Sequence, residues 1–157
     1  MEWTYMLQQY NRILVAVDGS AEAEIAFKKA VQVAVRNSAT LVLAHVIDTR
    51  AFQSISTFDG AMADKASEQA KNTLEEYVRY AKNHRVQDIT YSIEYGSPKV
   101  LIAKQIPEDQ KIDLILLGAT GLNAVERIFI GSVSEYVIRH ANCDVLIVRT
   151  DLENKRD

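Results

Sequence analysis

A chain of 157 residues with 48% apolar and 25% charged side chains has the size and composition of one ordinary globular domain, which excludes intrinsic disorder and collagen-like or disulfide-scaffold architectures. Its 18 Lys and Arg against 21 Asp and Glu leave a formal charge of -3, and so balanced a chain is not expected to bind nucleic acid. One cysteine, Cys143, and three scattered histidines, His45, His84 and His140, supply neither a disulfide nor a zinc-ligand spacing, so a reducing compartment is expected.

Residues 1–11 read as an N-terminal extension. MEWTYMLQQY contains Glu2, has no Lys or Arg and lacks an apolar stretch, so it is not a secretory signal. No apolar run approaches the ~20 residues of a membrane helix, and a cytoplasmic location without membrane contact is expected. The periodic pattern then occupies residues 12–150 as one domain. Arg12 to Val17 (RILVAV) is a buried strand ended by Asp18-Gly19-Ser20. Ser20 caps the next helix, in which Ala23, Ala26, Phe27, Ala30, Val31 and Ala34 recur at helical spacing to about Asn37.

Thr40 to Ile47 (TLVLAHVI) is a second nearly continuous apolar run, as expected of strands covered on both faces of a parallel sheet. Residues 48–60 show no period and read as an exposed loop. Ala61 to about His84 is a long amphipathic helix, and Ile89 to Tyr95 alternates like a strand at a sheet edge. Gly96-Ser97-Pro98 opens a helix, with Ser97 as cap and an expected end near Pro107. Asp113 to Leu117 is a short buried strand, Ser132 to His140 a helix and Val145 to Val148 the last strand. Residues 151–157 form a tail that, like residues 1–11, is expected to be poorly ordered. This alternation predicts a single open, doubly wound, parallel five-stranded α/β sheet with helices on both faces.

Ligands of such sheets bind outside the carboxyl ends of the strands. Two segments qualify there: Asp18-Gly19-Ser20 after the first strand, and Gly118-Ala119-Thr120-Gly121 continuing to Gly131-Ser132 after the fourth. Glycines let a backbone approach a ligand, and a helix starting at Gly131-Ser132 offers free N–H groups to an anion. The segment has neither the P-loop lysine nor the G-x-G-x-x-G dinucleotide spacing. Ser132 and Ser134 are candidates either for phosphate hydrogen bonds or for helix capping. Asp18 is open between a ligand contact and turn formation, and Arg127 between a phosphate contact and a solvated surface position. His45, inside an apolar strand, reads as packed, while His84 and His140 suit helix C-termini.

The spacing Gly118, two residues, Gly121, nine residues, Gly131-Ser132 resembles the nucleotide-binding motif of the universal stress protein family. ILVAVDGS at 13–20, LVLAHVID at 41–48, GSP at 96–98 and GSVSEYVIRHANCDVLIVR at 131–149 are similar to successive blocks of that family. The resemblance implies a Rossmann-like sheet of the adenine nucleotide alpha hydrolase-like type, ordered 3-2-1-4-5. It also implies membership of the ATP-retaining subclass, with a site comprising Val17, Asp18, Gly19, Val46, Leu117, Gly118, Ala119, Thr120, Gly121, Gly131, Ser132, Val133 and Ser134. In that scheme the 118–121 loop wraps ribose and phosphates, Gly131 to Ser134 hold phosphate oxygens, and the Val46 backbone faces adenine. Mg2+ would be held through the nucleotide phosphates, without protein metal ligands.

No general base or charge-stabilising group stands out, so a regulatory nucleotide-binding module is expected, not an enzyme. The alternatives are a slow ATP hydrolase or phosphotransferase, or a binder of AMP or cyclic AMP. In the implied order the last strand, Val145, Leu146, Ile147 and Val148, is an apolar edge that invites pairing into a homodimer. The competing arrangement covers that edge with Trp3 and Tyr5 of the N-terminal extension.

Overall fold

The computed structural model describes residues 7–50, 60–119 and 130–156. Five parallel strands form one sheet in the order β3-β2-β1-β4-β5. They are β1 (Arg12–Ala16), β2 (Thr40–Asp48), β3 (Ile89–Gly96), β4 (Leu114–Gly118) and β5 (Asp144–Val148). The central strand β1 pairs on both sides, with Ile13 opposite Leu41 and Leu114, and its Ile13, Leu14 and Val15 are fully buried. Such double burial explains the unbroken apolar runs of β1, β2 and β4. The edge strand β3 exposes Thr90, but against its alternation it also exposes Tyr91 and Tyr95 of the apolar face, while Ser92 and Glu94 stay half-buried.

Helices α1 (Ala21–Asn37) and α2 (Gly60–Asn83) cover one face. Phe27, Val31 and Leu74 pack there against Ile13, Val15 and Leu43, and Phe27 stacks on Tyr77 with ring centroids 4.5 Å apart. The other face carries α3 (98–110) and α4 (Ser132–His140), whose Leu101, Ile102, Ile106 and Val137 pack on Leu14, Val42, Ile115 and Leu117.

Helix α3 runs past its expected end. Residues Leu101–Gln105 form a π-helical turn in which the Ile106 N–H bonds the Leu101 carbonyl, five residues back. Pro107 thereby falls in the first turn of the α-helical segment Ile106–Gln110, where a missing N–H costs little. Ser97 does not cap this helix with its side chain, whereas Ser20 caps α1 by accepting from the Ala23 N–H at 3.1 Å. At the helix ends, His84 and His140 place Nδ1 at 2.7 and 2.9 Å from the carbonyls of Tyr80 and Tyr136.

Described residues of both chain ends are fastened by hydrogen bonds, contrary to expectation. The Asp113 carboxylate accepts from the Asn11 and Arg12 amides at 2.8 and 3.1 Å, and Tyr10 donates its hydroxyl to Asp144 at 2.8 Å. After β5, Lys29 of α1 donates to Thr150 at 2.6 Å and Asn154 at 3.1 Å, while Asp151 Oδ1 closes a turn on the amides of Glu153 and Lys155. Trp3, Tyr5 and most of the 48–60 loop lie outside the described residues. Cys143 is half-buried, and burial, with Asp144 and Asp113 adding to it, raises its thiol pKa, so it stays a neutral packed group. Among the described residues no helix is long and apolar enough to cross a membrane.

Candidate functional site

The chain leaves β1 for β2 on one side and β4 for β5 on the other, so the connections leaving the two central strands diverge at their carboxyl ends. A cleft of about 410 Å3 opens there, within the range of small-molecule sites. It brings together Val17, Asp18, Val46, Leu117, Gly118, Gly131, Ser132, Val133 and Ser134 of the residues singled out in the sequence. Gly19 and Ala119 do not line it, and Thr120, Gly121 and Arg127 lie outside the described residues. One wall is apolar, made by Ala44, Val46, Pro98 and Ile102. Pro98 and Ile102 were not foreseen as site residues, although the Gly-Ser-Pro after β3 already places the start of α3 at this end of the sheet.

The two helix starts at the cleft differ. Before α1, Asp18 Oδ1 accepts from the Ser20 amide at 2.9 Å, and Gly19 at φ 84° takes the left-handed conformation that the turn requires. With Ser20 capping the next turn, this start is satisfied from within. One Asp18 oxygen is thus a turn former, and the carboxylate also borders the cleft. Behind it, burial above all, then the charges of Glu24, Asp18 and Glu76, raise the Tyr77 hydroxyl pKa and keep it protonated.

Helix α4 begins without a side-chain cap because its N-cap residue is Gly131. The first intrahelical bond runs from the Glu135 amide to the Gly131 carbonyl at 2.9 Å. The amides of Ser132, Val133 and Ser134 therefore have no partner among the described residues, and all three residues line the cleft. The Gly131 N–H itself is not free. It donates to the Ala119 carbonyl at 2.8 Å, and the Ala119 amide donates to Val148 at 3.1 Å, so the two ends of the glycine-bearing segment are pinned together. The buried Ser134 hydroxyl neither caps the helix nor faces outward; it donates to the Gly118 carbonyl at 2.9 Å.

Gly118 has a packing reason of its own. A Cβ at this position would stand 3.0 Å from the Glu22 carbonyl oxygen, part of the first turn of α1, which can move only with its helix. Gly118→Ala is expected to destabilise the fold by about 1–3 kcal/mol, the usual scale of overpacking. A lowered urea midpoint at unchanged slope checks this. An unchanged midpoint would mean that the helix yields and that the glycine answers to the cleft alone.

Alternate residues of β2 direct their peptide groups to opposite neighbours. Thr40 N bonds Asn11 O on the β1 side, and Leu41 N bonds Asp88 O on the β3 side, both at 2.9 Å. By that alternation Val46 directs its N–H and C=O toward β1, which has already ended at Ala16. Both groups thus stand at the edge of the apolar wall. No cluster of three His, Cys, Asp or Glu among the described residues could hold a metal ion.

A doubly wound parallel sheet with its cleft between the ends of β1 and β4 defines a Rossmann-like α/β domain. A match to the universal stress protein family (Usp) spans residues 9–149, and the chain belongs to that family. It is 48% identical to a putative universal stress protein of Staphylococcus epidermidis over 142 residues, covering 90% of this chain and 86% of the relative. The universal stress protein UspA from Lactobacillus plantarum is 32% identical, with a TM-score of 0.79 over 91% of this chain and 100% of that one. A universal stress protein solved in complex with cAMP is 26% identical, with a TM-score of 0.69 over 90% of this chain and 98% of that one.

Proposed function

We propose that the chain is a regulatory ATP-binding module in which nucleotide occupancy sets conformation or partner choice and is not consumed. The observation that carries this reading is the start of α4. Three amides at the positive end of a helix, without a partner among the described residues, are a ready anion site, and they share a cleft of about 410 Å3 with an apolar wall. The phosphates would lie on the amides of Ser132, Val133 and Ser134, with Gly118 to Gly121 around the ribose and the Val46 peptide edge against adenine. Among the described residues Asp18 is the only carboxylate lining the cleft, so Mg2+ would be held by phosphate oxygens and water with Asp18 beside it. The protein would act as a cytoplasmic homodimer paired through β5.

A second reading is favoured by one comparison, the relative in complex with cAMP. Base and ribose contacts do not count phosphates, so AMP or cyclic AMP would fit the same wall. Mass analysis of nucleotide released from freshly purified protein separates these ligands. ATP with Mg2+ at ~100 times Kd should stabilise the fold by about 2.7 kcal/mol. Stabilisation by cyclic AMP alone would replace ATP with the second reading, and neither retained nucleotide nor a thermal shift with any adenylate would sink both.

A further inference from the structure

We propose that His45 is a positioning residue that holds open the base-recognising edge of the cleft, by engaging the Val17 carbonyl that would otherwise pair with the Val46 amide. The inference deepens the nucleotide-binding reading and rests on it for the identity of the ligand. In the parallel ladder between β1 and β2 the last rung is the Val17 amide donating to the Ala44 carbonyl at 2.9 Å. Continued by one step, the ladder would join the Val46 N–H to the Val17 carbonyl. That rung is absent, and the Val17 carbonyl instead lies 2.8 Å from His45 Nδ1. A carbonyl only accepts, so the ring carries a hydrogen on Nδ1 and donates it.

His45 and Val46 send their side chains to opposite faces of the sheet, as successive strand residues must. The imidazole therefore draws the carbonyl toward the α1–α2 face, while the Val46 side chain packs with the α3–α4 layer that walls the cleft. An unpaired peptide group beside an apolar wall is costly, and closing the rung would satisfy it. The ring prevents that closure. The Val46 N–H and C=O stay available as an adjacent donor and acceptor, which complements a base presenting an acceptor beside an amino group, as adenine does at N1 and N6.

The test uses the full-length protein as His45→Leu and His45→Asn. Asn places an N–H donor where Nδ1 stands, whereas Leu has none; His45→Phe, closer to the ring in volume, is a second apolar variant. In ligand-free protein the Val46 amide should exchange with solvent about tenfold more slowly in the apolar variants than in wild type, because the rung closes, and Asn should restore wild-type exchange. ATP affinity should fall about tenfold in the apolar variants, the scale of one hydrogen bond, while binding of inorganic tripolyphosphate, which lacks a base, stays unchanged. Equal exchange at Val46 in all forms, or Asn behaving like Leu, would overturn the role of His45. A wild-type protein that binds no ATP would defeat the nucleotide reading, and the exchange result would still decide whether His45 holds the edge open.

Discussion

Gly131→Asp should abolish nucleotide binding while leaving the ligand-free protein as stable as wild type or slightly more so. Gly131 sits at φ -58° and ψ 155°, an extended conformation open to any residue, so the backbone does not demand glycine there. An aspartate at an N-cap accepts from the second and third amides of its helix, here those of Val133 and Ser134. It also places a negative charge at the positive end of the helix dipole, worth about 0.3–1 kcal/mol. The variant therefore satisfies in its own chain the donors assigned to phosphate, and adds a carboxylate where phosphate charge would lie. Each charged hydrogen bond lost costs about 1.5–3 kcal/mol. Two together amount to at least about a hundredfold in affinity. Calorimetric titration with ATP beside thermal unfolding of the free protein reads both halves. Undiminished ATP binding would remove the phosphates from α4, and a large loss of stability would show that Gly131 serves packing instead.

That glycine was legible in the sequence; what it does with its own N–H was not. The family resemblance marks 118, 121 and 131 as a set, but the bond from Gly131 to Ala119 and the contact of Gly118 with Glu22 join segments remote in sequence. Periodicity carries no information on such contacts. The same limit explains Ser134, which reads as a phosphate donor or a cap and instead spends its hydroxyl on the Gly118 carbonyl. Both helical layers were legible because burial on two faces writes continuous apolar runs into β1, β2 and β4, whereas the strand order came from the family resemblance, since an apolar run does not say which strand lies beside it. Pro107 misled as a helix stop because the π-turn that accommodates it is a shift of hydrogen-bond register, not of hydrophobic pattern. The ends misled for the converse reason: Tyr10, Asn11 and Asn154 are fastened by polar contacts to Asp144, Asp113 and Lys29, and these have no period at all.

Ile147→Pro should convert a micromolar dimer to monomer without unfolding the protomer. The Ala119 amide bonds the Val148 carbonyl, so even-numbered residues of β5 direct their peptide groups to β4. By the same alternation the peptide groups of Val145 and Ile147 point away from β4, to the open edge of the sheet. A proline at 147 therefore deletes an outward N–H and leaves the β4–β5 ladder intact. Among the described residues nothing protects the edge in the usual ways. No proline or lysine interrupts Val145 to Val148, and Leu146 and Leu152 remain 42% and 48% exposed beside it. Described residues of the N-terminal extension reach only the first residue of the strand, where Gln8 and Tyr10 donate to Asp144. Pairing of β5 with the same strand of a second copy about a two-fold axis would satisfy both edges at once and close the assembly. Sedimentation equilibrium of wild type and variant, with circular dichroism to confirm the fold, measures the effect. A wild-type monomer would mean that the edge is covered within the chain, and a dimer unaffected by the proline would place the contact on another face.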